Sequence, residues 1–162
     1  MKNKVGFVRQ GAMIMIAIGA AMGISAAAVA QEHKIKRTDL PTAVEQTVQK
    51  KTAGATIVGF ATEIEHGKVN YEVETTVQGH SRDLSIAKDG TLLEIEEEVA
   101  MATLPAAVQE ALQKKIAGGV VKKVESLTKK GKLVAYEVSY TAGGKHREAQ
   151  VGPAGERLMH QE

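Results

Sequence analysis

Five consecutive residues, Gly79-His80-Ser81-Arg82-Asp83, set an imidazole, a hydroxyl, a guanidinium and a carboxylate side by side, the ingredients of a nucleophilic hydrolase. That chemistry needs the hydroxyl against the imidazole and the imidazole against the carboxylate. On a strand, His80 and Ser81 point to opposite faces, so the run cannot form a triad without a break in the pleat. The chain has no Cys and no Gly-x-Ser-x-Gly, and its Ser residues beyond residue 30 are scattered through strand- and turn-like segments. The sequence reads as a protein that is not an enzyme and carries no cofactor.

Two other groups of residues could bind. Arg82 shares a face with Leu84 and Ile86, as Arg147 does with Ala149 and Val151. Each Arg reads either as a snorkelling or cross-strand-paired side chain, or as one of two equivalent positions for an anion or carboxylate ligand. His33 would be the third residue of a chain cleaved after Ala30, and a free terminal amine with His at position three can wrap Cu(II) or Ni(II) in nitrogens. An N-terminal Gln31 readily cyclises, which removes the amine. His66, His80, His146 and His160 show no paired spacing that would present two ligands together.

These residues depend on elements that the sequence announces twice. Leu40–Gly54 returns as Leu104–Gly118 with 9 of 15 positions identical, Gly67-Lys68 and Tyr71-Glu72-Val73 return as Gly131-Lys132 and Tyr136-Glu137-Val138, and Arg82-Asp83 returns as Arg147-Glu148. Each unit opens with a short helix. Pro41 and Pro105 suit the first helical position, Val44/Val48 and Val108/Leu112 make an apolar stripe, paired lysines fall in the last turn, and Gly54 and Gly118 stop it. Four strands follow, over 57–64, 69–77, 82–86 and 92–99, separated by turn residues. Tyr71, Val73, Thr75 and Val77 alternate with Glu72, Glu74, Thr76 and Gln78, which gives a strand one buried and one wet face. One extra residue before Tyr136 implies a bulge or a longer turn. The acidic run Glu94–Glu98 reads as the solvated side of an edge strand, or as a docking surface for a basic partner.

The string Leu40-Pro41, Gly67-Lys68, Tyr71-Glu72-Val73 and Asp89-Gly90-Thr91-Leu92-Leu93 resembles the PepSY-like repeat, and the second copy repeats it until its end erodes at Ala154–Leu158. The resemblance implies an α+β fold similar to the β-lactamase-inhibitor-like fold: two tandem α-β-β-β-β repeats, over 39–99 and 100–162, forming one antiparallel sheet with helices packed on one face. Each unit of about 60 residues is marginal alone, so a single continuous core is expected. The resemblance also implies a small exported protein, with an inhibitory or regulatory role toward envelope peptidases. It brings no catalytic residues.

Residues 1–30 fit that picture. Lys2, Lys4 and Arg9 precede an uncharged stretch ending in Ala28-Val29-Ala30, the form of a secretory signal peptide; an uncleaved anchor is the competing reading. Residues 31–38 are expected to be a flexible mature N-terminus. The formal charge of +2 belongs to the leader: without its three basic residues, 18 basic stand against 19 acidic ones. A near-neutral chain of interspersed charges argues against nucleic acid and against stable membrane insertion after cleavage. The sequence therefore points to a periplasmic or secreted binding module that engages an envelope protein, such as a peptidase, through Glu72, Glu74, Gln78, Glu137, Ser139 and Thr141 on the open sheet face. The alternative is a periplasmic small-ligand or metal-ion binding protein using Arg82 with Arg147, or His33.

Overall fold

A computed structural model describes residues 32–65 and 67–162. The expected signal peptide, the amine of Gln31 and His66 lie outside the described residues. Among those described, eight strands form one antiparallel sheet in chain order, β1 His33–Lys34, β2 Thr56–Glu65, β3 Lys68–Val77, β4 His80–Ala87, β5 Leu92–Glu98, β6 Val120–Lys129, β7 Lys132–Ala142 and β8 Lys145–Val151. Two helices, α1 Thr42–Lys51 and α2 Ala106–Ile116, precede β2 and β6.

The helices begin as the prolines dictate, although one position later than expected. Pro41 and Pro105 are the capping residues, each in extended backbone, and their carbonyls accept the N–H groups of Glu45 and Gln109. α2 ends on Ala117 in the left-handed conformation at φ 48°, one residue before Gly118. Both helices lie on the same face of the sheet. Val44 and Val48 of α1 bury against Val73, Leu84 and Ile86. Val108, Leu112 and Ile116 of α2 bury against Val124, Val138, Tyr140, Ala149 and Val151.

Two expectations are corrected. The second unit contributes three strands, because 154–158 forms no strand; the eighth strand is His33–Lys34, pairing with Thr62 and Ala61 from the segment expected to be flexible. Nor is there one continuous core. Each helix has its own buried cluster, and the backbone ladder between β5 and β6 joins the halves. The extra residue before Tyr136 is a bulge: Ala135 pairs with Leu127 while Leu133 pairs with Thr128, which leaves Val134 out of register. Val58 and Lys122 are bulged in the same way near the starts of β2 and β6.

Candidate functional site: the helix-free face

Alternation along the strands sends one set of side chains toward the helices and the other to an uncovered face. The register then decides which of them meet. Glu74 lies opposite Asp83, Asp83 opposite Glu96, and Glu96 opposite Leu127, which faces Ala135. A flanking row runs Glu98, Glu125, Glu137, Gln150. On the other side a row runs Ala61, Glu72, Ser85, Glu94, Lys129. Carboxylates directly opposite one another repel, so this face carries a standing electrostatic cost.

Two lysines of β6 offset part of that cost. Lys123 Nζ lies 2.7 Å from Glu125 Oε1, and Lys129 Nζ lies 3.7 Å from Glu94 Oε2. Carboxylate oxygens of Asp83, Glu96 and Glu125 come within 4.8 Å of one another. Lys123 is their counter-ion: burial works against its charge, but Glu125, Asp83 and Glu96 prevail and raise its pKa. Glu125 is 5 % exposed whereas the Lys123 side chain remains 35 % exposed, so the pair joins a buried carboxylate to a half-buried ammonium.

Burial favours the protonated form of several other carboxylates of the array. Burial first, then the charges of Glu32, Glu63, Asp83 and Glu74, pushes Glu72 up to about 7. Burial, with Glu125, Glu94 and Glu137 adding and Lys123 opposing, pushes Glu96 up to about 8. Glu63, Asp83, Glu94 and Glu137 are also raised, with burial the largest cause in each. Such a surface can pair with cations and exchange protons as it does so.

Of the residues expected on this face, Glu72, Glu74, Glu137, Ser139 and Thr141 alternate onto it. Gln78 does not, because it sits in the tight turn after β3 with φ 51°. Arg82 and Arg147 are on the helix side, opposite Thr75 and Tyr140, and three strands separate β4 from β8, so the sheet does not bring them together. His33 is in β1, exposed, opposite Thr62. His80 faces the helix side of β4, whereas Ser81 and Asp83 face the other; Ser81 N–H donates to Glu98 Oε2 at 3.0 Å, and no triad forms.

The acidic run was misplaced by sequence reading. β5 lies between β4 and β6, not at an edge, and its Glu94, Glu96 and Glu98 are the middle of the array. The signal was present: these three share the two-residue period of Glu72 and Glu74. Leu127, Ala135 and Lys123 escaped notice because bulges at Lys122 and Val134 change which side chains share the face.

A helix-backed meander with one polar face defines the class of fold. It is the fold of a BLIP-like protein from Bacteroides fragilis, 21 % identical over 76 % of this chain and 85 % of that one, with a TM-score of 0.56. A candidate periplasmic protein from Bacteroides eggerthii is 18 % identical over 75 % and 88 % of the two chains, TM-score 0.62, and a DUF2874 family protein from Bacteroides ovatus is 18 % identical over 75 % and 85 %, TM-score 0.57. No family profile matches the sequence and no curated protein resembles it closely enough to align. At these identities the likeness is one of fold.

Proposed function

We propose that this protein is an exported, non-enzymatic binding module that holds a polypeptide of the cell envelope on its helix-free sheet face, and that the partner is a peptidase or other hydrolase which it inhibits or regulates. The observation that carries this reading is the face itself: a broad polar surface on a rigid sheet, rich in carboxylates that oppose one another and only partly neutralised from within. Surfaces of this kind suit wet, specific contacts. Charge complementarity makes the partner's contacting surface basic. Likeness in fold to a BLIP-like protein and to a candidate periplasmic protein supports the class and the location.

The test is capture of a hydrolase. Immobilised protein is offered an envelope extract beside a Glu72→Lys/Glu137→Lys variant. The reading expects the first to retain a hydrolase whose activity falls when the soluble protein is added, and the second to release it. Retention by both would move the interface off this face, and retention by neither would end the reading.

A further inference from the structure

The face is not uniformly open. Beyond β8 the chain turns at Gly152–Glu156, where Gly152 N–H donates to Glu156 O at 2.9 Å and Gly155 rests on the Ala107 carbonyl of α2. Seven residues later it is on the other side of the sheet. Glu162 N–H donates to Gln150 Oε1 at 2.8 Å, and Glu162 Oε2 stands 3.9 Å from Lys129 Nζ. Seven residues extend to about 23 Å, enough to round the end of one strand.

The two attachment points locate the crossing. Gln150 is in β8 on the row of Glu137 and Glu125, whereas Lys129 is in β6, four residues beyond Glu125 on the same face. The diagonal between them passes over β7 at Ala135. Ala135 is 0 % exposed and its neighbour Leu127 is 3 % exposed, although both lie on the face that carries no helix. Apolar residues on an uncovered sheet face are wetted unless something lies over them. The clip also engages the polar residues beside them: Gln150 Nε2 donates to Glu137 Oε2 at 2.7 Å while its Oε1 holds Glu162, and Lys129 is shared between Glu94 and Glu162.

We infer that residues 157–162 are a displaceable cover over the Leu127–Ala135 end of the helix-free face, and that this segment competes with the partner for it. The inference rests on the docking reading above for the competition, though not for the cover. One neutral hydrogen bond and one long ion pair make a weak attachment, about tenfold or less in an equilibrium constant, which is the strength a reversible cover needs. Displacement would bare an apolar spot inside the carboxylate array, leave Lys129 to Glu94 and free Gln150 to meet the partner.

The chain has no Cys, so Ala135→Cys supplies a single reporter thiol, with Leu127→Cys as a second should the first disturb packing. Thiol labelling rates are compared in the full chain, in Glu162→Pro, which removes both the N–H and the side-chain carboxylate, and in a chain ending at Glu156. Folding of each is checked by circular dichroism. The expected result is labelling several-fold and up to about tenfold faster once the cover is lost, matching the strength of the attachment; equal rates at both reporters would overturn the inference. A fluorescent hexalysine peptide at low salt then reads competition, with binding about three- to tenfold tighter to the shortened chain expected. Equal hexalysine affinity for both chains, lost in Glu72→Gln/Glu74→Gln, would overturn the competition and leave the docking reading standing. No hexalysine binding to either chain would overturn both.

Discussion

Gly155 stands against the carbonyl of Ala107 so closely that a Cβ would lie 2.6 Å from that oxygen, and Gly90 stands in the same relation to Ala43, also at 2.6 Å. Both glycines have left-handed backbones, at φ 83° and 86°. Thr47 adds a hydrogen bond from Oγ1 to Gly90 O at 2.6 Å. In each half a turn is thus pinned to the first turn of the helix that opens that half. Gly90→Ala and Gly155→Ala should each cost about 2 kcal/mol or more, through backbone strain and a clash with main chain that cannot move aside. Gly131→Ala, with φ 75° and no atom within 4 Å, should cost only about 1 kcal/mol. Urea midpoints at unchanged m-value check the difference; equal costs would mean the helix contact contributes nothing.

Stability should fall as pH rises through neutrality. Glu72 and Glu96 hold protons in the native chain up to about 7 and about 8, whereas the unfolded chain releases them near the ordinary carboxylate value. The native state then binds more protons across that interval, so unfolding is favoured as pH climbs, and the loss is complete above the higher value. Glu96→Gln should match the native protein near pH 5 and exceed it at pH 9 by on the order of a few kcal/mol. Parallel stability curves for the two proteins from pH 5 to 9 would refute this account.

Lys123 should matter most where the carboxylates are charged. Lys123→Met leaves Glu125 buried without its counter-ion beside Asp83 and Glu96, which should cost about 2–4 kcal/mol at pH 8. Near pH 5, well below the value of about 8 at Glu96, that carboxylate holds its proton and the cost should shrink. The double variant Lys123→Met/Glu125→Leu should regain most of it. Denaturant titrations at the two pH values read all three outcomes, and a pH-independent loss would point to packing of the lysine stem instead.

The separate buried clusters predict additive mutations. Val48→Ala beneath α1 and Leu112→Ala beneath α2 should cost roughly 2 and 3 kcal/mol. The double variant should equal their sum within about 0.5 kcal/mol. A coupling term well above 1 kcal/mol would show that the two halves share packing after all.

Most of the sheet was legible because its period is local. Tyr71, Val73 and Thr75 against Glu72 and Glu74 needs only nearest neighbours to be read, and β2 to β5 fall where alternation and turn residues put them. The array was not legible. Asp83, Glu96 and Glu125 meet only through the registers of three strands, and a bulge at Leu93, between the Leu92–Ile86 and Glu94–Ser85 pairs, sets one of them. No pattern within the sequence marks β5 as central, and a row of glutamates has the same appearance at an edge as in the middle. His33–Lys34 was missed because two residues of strand carry no period at all; their partner, the free edge of β2, defines them.

The strict chain order of the sheet has a consequence for a protein made from its N-terminus onward. Each strand's partner is the one just before it, so pairing never waits on distant sequence, and α1 with β2 to β5 can close its own apolar cluster while the rest is still being synthesised. During that interval β5 is an exposed border. Glu94, Glu96 and Glu98 would then repel the matching border of another nascent chain, until β6 arrives with Lys123 and Lys129 and seals it. The same glutamates that form the middle of the finished face would have served, before β6 was made, as its guard against joining the wrong molecule.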